Sequence, residues 1–326
     1  MKNLKAAVIG FGVMGKNHAR ILSNLSDVDF IGVIDPKIES DFNQFNVIKS
    51  LDELLLAGVD YCVISVPTNL HKEVSVYLMQ NGIHVLIEKP ISHNLESAYE
   101  ILECAKENQV VAAVGHIERY NSALQQAEKR IRSGQLGVLY QVSTRRQGPF
   151  PARIADVGVI KDLATHDIDL TRWITGSNYR KVNAFAGFRS GRSHEDLVTI
   201  SGILDSDTIV NHLVNWLNPL KERSIVITGD LGTFRVNTLN SELQFFENGT
   251  SRISQSYLSH FYGVSQGDIH TYAFDKPEPL LVEHENFRDA ILGREALTVT
   301  LEDAIETLRV AEAASKSYKT EVTQTL

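Results

Sequence analysis

The chain has 326 residues, more than one ordinary core holds, so two domains are expected. Its 43% hydrophobic and 22% charged residues are an ordinary globular balance, which excludes a disordered or fibrous class. A formal net charge of −8 argues against polyanion binding, which needs clustered Lys and Arg; no apolar run reaches the roughly 18 residues of a membrane helix.

The apolar run that starts at Lys5 ends at Gly10 and turns glycine-rich, unlike a secretion signal, so a cytoplasmic location is expected. Short apolar runs then alternate with helical patterns. Strands are expected at Lys5 to Gly10, Phe30 to Ile34, Tyr61 to Val66, His84 to Ile87 and Val110 to Val114. Helices are expected at Gly15 to Leu25, Leu51 to Leu56, Leu70 to Asn81 and Leu95 to Asn108. Strands apolar on both faces, separated by amphipathic helices, give a parallel sheet covered on both sides. This α/β pattern fills residues 1–120.

Beyond Tyr120 the rhythm changes. After a helix near Ser122 to Ser133 and a strand at Leu139 to Thr144, a helix is expected around Asp162 to Ile174, ended by Gly176. From Val182 to Phe246 strands follow one another through short turns, which implies an antiparallel sheet. Helices at about Glu283 to Leu292 and Leu301 to Tyr318 finish the chain. The expected fold is an N-terminal doubly wound parallel sheet with a second α+β domain over 121–326. The last helix is expected to dock back on the first domain. Cys62 and Cys104 read as small buried hydrophobes with no metal or disulfide spacing.

Gly10-Phe11-Gly12-Val13-Met14-Gly15 matches G-x-G-x-x-G. It follows a buried strand and opens a helix, and Asp35 lies 20 residues past Gly15 at the end of the next strand. Gly10 allows the tight turn, Gly12 lets the backbone approach a diphosphate, and Gly15 lets the helix pack on the sheet. The helix N-terminus then presents free N–H groups to the anion. Asp35 would accept bonds from the ribose hydroxyls. A 2′-phosphate beside it would meet about 4 kcal/mol of repulsion at about 4 Å and an effective dielectric of about 20, so NAD is favoured over NADP.

Strand four ends in Glu88-Lys89-Pro90, which puts Lys89 beyond the carboxyl edge of the sheet, where ligands bind. Further on, Asp162 and His166 stand at i and i+4, one helix face, where a carboxylate can orient an imidazole for proton transfer. Read alone, Lys89 is a solvated strand-end lysine, and Asp162 with His166 is a helix cap beside a surface histidine. A metal held by Asp162, His166 and Asp169 is a competing reading, but no further His or Cys spacing supports it, and none is expected.

The fingerprint, then Val66-Pro67-Thr68-Asn69-Leu70-His71, Glu88-Lys89-Pro90 and Asp162-x-x-x-His166, in this order over essentially the whole length, resembles the Gfo/Idh/MocA oxidoreductases. Val114 to Asn121 and Asp162 to Asp169 look most like that family's UDP-N-acetylglucosamine 3-dehydrogenase branch. The resemblance implies a Rossmann domain and a C-terminal domain with a large open-faced sheet, through which homodimers or homotetramers form. It implies catalysis by Lys89, Asp162 and His166. It implies cofactor contacts from Gly10, Gly12, Val13, Met14, Gly15, Asp35, Val66, Pro67, Thr68, His71, Glu88 and Lys89.

The expected activity is hydride transfer between nicotinamide and a sugar or nucleotide-sugar ring carbon. Lys89, Asp162, His166, Arg119, Tyr120, Asn121 and Arg145, with Arg172, are the candidate substrate contacts. A free-sugar or myo-inositol dehydrogenase uses the same residues. A non-catalytic dinucleotide sensor is the reading from another class, though a sensor has no need of a proton relay. Many members carry a Gly-Gly run before the aspartate, where this chain reads Gly158-Val159-Ile160-Lys161.

Overall fold

Ala6, Ala7 and Val8 are all fully buried, so the first strand has no water-facing side and must be covered on both. It is β1 (Leu4–Ile9), and with β2 (Val28–Ile34), β3 (Tyr61–Ile64), β4 (His84–Glu88) and β5 (Ala112–Gly115) it forms a sheet in the order β2-β1-β3-β4-β5. Every pairing is parallel. Helices α1 (Val13–Leu22), α2 (Leu51–Leu56), α3 (His71–Gln80) and α4 (Leu95–Glu107) are the crossovers. The strand order reverses between β1 and β3, and the loops after these two strands flank the switch point where such sheets take ligands. The computed structural model describes residues 3–38, 44–150, 157–249 and 265–326.

The chain divides into two compact units, and the division is not a single cut after Tyr120. The first unit is Met1–Tyr120 together with Pro277–Leu308; the second is Asn121–Lys276 with Arg309–Leu326. Helix α7 (Pro279–Ile291) belongs to the first unit, and it begins earlier than its periodicity suggests because Pro279 suits a first helical turn. Phe287 packs edge-on against Tyr61, with ring centroids 5.5 Å apart. Of the last helix, α8 (Leu301–Thr320), residues Leu301, Ala304, Ile305 and Leu308 share a core with Ile9, Ile64 and Ile87. Val310, Ala311 and Ala314 of the same helix lie in the second unit's core.

The second unit is built on a nine-stranded sheet with the order β13-β12-β11-β10-β6-β9-β8-β7-β14. Its strands are β6 (Leu139–Pro149), β7 (Tyr179–Gly187), β8 (Leu197–Leu204), β9 (Ile209–Asn215), β10 (Leu217–Gly229), β11 (Gly232–Asn237), β12 (Glu242–Gly249), β13 (Ser265–Thr271) and β14 (Gln324–Thr325). The pairings are antiparallel except β6 with β9. Alternate residues such as Val142, Val182, Val198, Val210, Ile225 and Phe234 are buried in one core with residues of α5 (Ser122–Arg132) and α6 (Thr165–Thr175). The other face carries Phe185 at 72%, Ile209 at 52% and Ile269 at 49% exposure, so the sheet is covered on one side by its own unit. Among the described residues no helix is long and apolar enough to cross a membrane.

Candidate active site

The turn after β1 takes the form its glycines require. Gly10 adopts φ +91°, and its N–H donates to Ile34 O at 2.7 Å. A Cβ on Gly10 would lie 2.6 Å from the Ser65 backbone, and one on Gly15 only 2.0 Å from Gly10 O. A Cβ on Gly12 would meet nothing within 4 Å, so there the backbone borders open space. Ser65 Oγ donates to Gly10 O at 2.7 Å and holds the turn; sequence reading passed over this residue, although it directly follows β3.

The N-terminus of α1 receives no side-chain cap and has no acidic residue in its first turn. By contrast, Ser50 caps α2 and Asn94 caps α4, each with acidic residues following. An uncapped, acid-free helix start leaves amide donors and the positive dipole end for an anion. Val13 is 56% exposed beside it and Met14 is half-buried. Asp35 stands across the turn, accepting from Phe11 N at 2.7 Å and Lys37 N at 2.8 Å. Each carboxylate oxygen keeps a lone pair for a ribose hydroxyl. The cradle therefore fits a dinucleotide: open space at Gly12, free amides at α1 and an acceptor at Asp35.

Of the segment after β3, Val66 and Thr68 are half-buried and Pro67 is exposed. His71, also expected at the cofactor, is engaged at both ring nitrogens. It is 1% exposed, with Nδ1 at 3.0 Å from Pro90 O and Nε2 at 3.0 Å from Val66 O. Burial holds it below the usual histidine range against the pull of these carbonyls. It ties the loop after β3 to the loop after β4.

Glu88, a second residue expected at the cofactor, is likewise bonded within the first unit. Its carboxylate turns inward, with Oε1 2.9 Å from His18 Nε2, and Oε2 accepting from Lys89 N at 3.1 Å. Burial pushes its carboxyl up, but the His18 imidazole, the Lys89 charge and the Lys89 N–H together hold it below the ordinary carboxylate range. Lys89 itself is half-buried at the end of β4, and the Lys89–Pro90 peptide bond is cis.

In the second unit Asp162 lies in a π-helical turn, Ile160–Ala164, that runs directly into α6 and His166. Such turns recur where side chains are re-aimed at functional sites. Asp162 is 7% exposed and His166 half-buried. Glu195 fixes the start of the turn: its Oε1 accepts from Ile160 N at 3.1 Å and its backbone O from Val159 N at 3.0 Å. A Cβ on Gly158 would lie 2.1 Å from the Glu195 carboxylate, so the single glycine kept before the motif has a packing reason. Glu195 gave no local sequence signal, being more than thirty residues away. Asp167 forms a buried ion pair with Arg146 of β6, Nε to Oδ1 3.0 Å. Among the described residues, three potential metal ligands converge within 4.8 Å at Glu247, Asp268 and His270, all exposed, and not at Asp162, His166 and Asp169.

Five of the expected substrate contacts have these surroundings. Arg119 is 2% exposed, and its guanidinium donates to Thr298 O at 2.9 Å and Asp303 Oδ2 at 3.0 Å. Tyr120 is 3% exposed and donates to Asn286 Oδ1 at 3.1 Å. Asn121 caps α5, accepting from Ala123 N at 3.0 Å, and donates to Thr238 O at 3.1 Å. All three are hydrogen-bonded to residues of their own unit. Arg145 is exposed, because the two-residue period of β6 puts it on the open sheet face, opposite Thr144 and Arg146. Arg172 donates to Asn178 Oδ1 at 2.8 Å.

The family model described as "Oxidoreductase family, NAD-binding Rossmann fold" matches residues 4–116, and the "GFO/IDH/MocA C-terminal domain" matches residues 124–235. The chain belongs to the Gfo/Idh/MocA oxidoreductases. Among its relatives in this family is the UDP-N-acetylglucosamine 3-dehydrogenase of Acidithiobacillus ferrooxidans, 29% identical over 296 residues, covering 89% of this chain and 90% of the relative. The solved structure of that dehydrogenase superposes with a TM-score of 0.85 at 27% identity, covering 98% of this chain and 99% of that one. The scyllo-inositol 2-dehydrogenase (NAD(+)) of Bacillus subtilis is 28% identical over 329 residues, covering 97% of this chain and 94% of the relative. An oxidoreductase from Agrobacterium radiobacter, solved with NAD+, L-tartaric acid and magnesium, shares the fold at 17% identity, with a TM-score of 0.82 and coverage of 99% and 98%. The Gfo/Idh/MocA oxidoreductases thus account for both units of this chain.

Proposed function

We propose that this oxidoreductase moves a hydride reversibly between NAD and a ring CH–OH of a nucleotide sugar, with C3 of a UDP-N-acetylglucosamine-type sugar as the reacting carbon. The observation that carries the substrate is the end-to-end similarity to the Acidithiobacillus ferrooxidans enzyme, in sequence and in fold.

Bound NAD supplies the hydride acceptor at C4 of its nicotinamide. The amides at Gly12, Val13 and Met14 bind the diphosphate, and Gly10 and Gly15 give the turn its shape. Asp35 accepts from the ribose hydroxyls and disfavours a 2′-phosphate. Val66, Pro67 and Thr68 border the dinucleotide at the carboxyl edge of β3. His166 accepts the proton of the reacting hydroxyl as its C–H bond breaks. Asp162 orients His166. Lys89 donates a hydrogen bond to the reacting oxygen and stabilises the charge that grows there. The open sheet face that carries Phe185, Ile209, Ile269 and Arg145 is the surface through which copies of the chain assemble into dimers or tetramers.

The inositol dehydrogenase among the relatives favours a second substrate reading, a free polyol. One assay separates the two. The purified chain with NAD is offered UDP-N-acetylglucosamine, its uronic acid, glucose and myo-inositol, and reduced cofactor is followed by absorbance. Reduction with the nucleotide sugars alone supports the first reading, and reduction with free polyols alone replaces it. A His166→Asn protein that keeps full turnover removes the assigned base.

A further inference from the structure

Behind Lys89 lies a row of buried ionisable side chains, all within the first unit. His18 projects from α1, is 0% exposed, and stands 2.9 Å from Glu88 Oε1 through Nε2. Its other nitrogen, Nδ1, lies 2.9 Å from Nε2 of His284 on α7. His284 is also 0% exposed, and its ring meets that of His18 edge-on at 5.1 Å. The far nitrogen of His284, Nδ1, has no hydrogen-bond partner among the described residues.

These contacts fix where the protons sit. A proton on His284 Nδ1 would be a buried donor with no acceptor among the described residues, a rare kind of unmet polar group. The ring proton of His284 therefore lies on Nε2 and points at His18 Nδ1. His18 Nδ1 accepts, which leaves the His18 proton on Nε2, aimed at Glu88. Glu88 then takes one N–H from His18 and one from the Lys89 amide, on separate oxygens. Glu283, next to His284, is 1% exposed with neither oxygen hydrogen-bonded among the described residues. Burial and the neighbouring Glu88 charge push the Glu283 carboxyl well above the ordinary carboxylate range.

We propose that the row His284–His18–Glu88 is a positioning device for Lys89, with His284 setting the His18 tautomer, His18 orienting the Glu88 carboxylate, and Glu88 anchoring the Lys89 backbone. The proposal rests on the role given to Lys89 above. His18 and His284 touch no substrate here; they act through Glu88.

The test is made on the full chain. Heteronuclear NMR with 15N-labelled histidine reads the tautomers directly: His18 and His284 both appear as Nε2–H imidazoles. A proton on Nδ1 of either ring overturns the proposal. Glu88→Gln is isosteric but offers one acceptor where two donors converge. It lowers kcat about tenfold to a hundredfold, the scale of a small misplacement of a reacting group, while the Kd for NAD, by calorimetry, stays within about twofold. His284→Phe scrambles the His18 tautomer and lowers kcat likewise, and His284→Gln, which keeps a nitrogen donor toward His18, restores most of it. Wild-type kcat in Glu88→Gln and His284→Phe, beside an inactive Lys89→Met, overturns the positioning role alone. Full turnover by Lys89→Met overturns the role of Lys89, and this proposal with it.

Discussion

Arg146 Nε and Asp167 Oδ1 meet at 3.0 Å with their side chains only 4% and 2% exposed. Asp167 immediately follows His166, so this pair ties the start of α6 to strand β6. A buried charge that loses its partner is costly, whereas replacing both charges by apolar groups often is not. Arg146→Met is expected to cost about 3–5 kcal/mol in urea unfolding. The double variant Arg146→Met with Asp167→Leu is expected to cost less than either single change. Additive losses would show that the two residues do not act as a pair.

The three fingerprint glycines are expected to fail in different ways. Gly12→Ala puts its methyl into open space and leaves the unfolding midpoint unchanged, yet weakens NAD binding in calorimetry by tenfold or more (on the order of 1.4 kcal/mol). Gly15→Ala drives a Cβ to 2.0 Å from Gly10 O and lowers stability by about 1–3 kcal/mol. Gly10→Ala adds left-handed strain at φ +91° to a clash with Ser65 and does the same.

Asp35→Ser removes the carboxylate that accepts from Phe11 N and Lys37 N. The ratio of NAD to NADP affinity, measured by fluorescence titration, is expected to fall at least tenfold. An unchanged ratio would place coenzyme choice in other residues.

His212 sits wholly buried between Thr144 Oγ1 at 2.8 Å and Tyr179 Oη at 2.6 Å. Burial, aided by the Arg146 charge, pushes it down to about 3. The unfolded chain takes up a proton here from pH 6.5 downward while the folded chain does not. The folded state therefore loses stability as pH falls from 6.5 toward 3, at a limiting slope of about 1.4 kcal/mol per unit. Above 6.5 the effect vanishes. Urea midpoints from pH 7.5 to 4.5 are expected to fall less steeply in His212→Gln than in the unaltered protein.

What sequence reading recovered depended on whether the signal was local. Gly10 to Gly15, Asp35 and Lys89 sit at strand ends, where hydrophobic period and glycine geometry fix position, and the structure puts them at the carboxyl edge of the sheet. Asp162 and His166 were visible as a spaced pair, though not the π turn between them. Arg119, Tyr120 and Asn121 could not be placed from sequence alone, because a polar side chain just past a strand looks the same whether it meets ligand or packing. Their partners, Thr298, Asp303, Asn286 and Thr238, are more than a hundred residues away in the chain. Arg145 was named for its charge alone, and only the pleat of β6 shows that it faces out while Arg146 beside it is buried. His18 carried a faint signal, a histidine on the apolar stripe of α1, and its meaning lay with His284, 266 positions later.

The late segment Pro277–Leu308 completes the unit that Met1–Tyr120 begins. During synthesis, a nascent chain that has emerged only as far as Tyr120 lacks Phe287 against Tyr61, and lacks Val299, Leu301, Ala304, Ile305 and Leu308. The dinucleotide unit is thus begun before residues 121–276 are made and completed only after them. A gene fragment ending at Tyr120 encodes an open-sided sheet with bare apolar flanks, poorly suited to use as a portable coenzyme module.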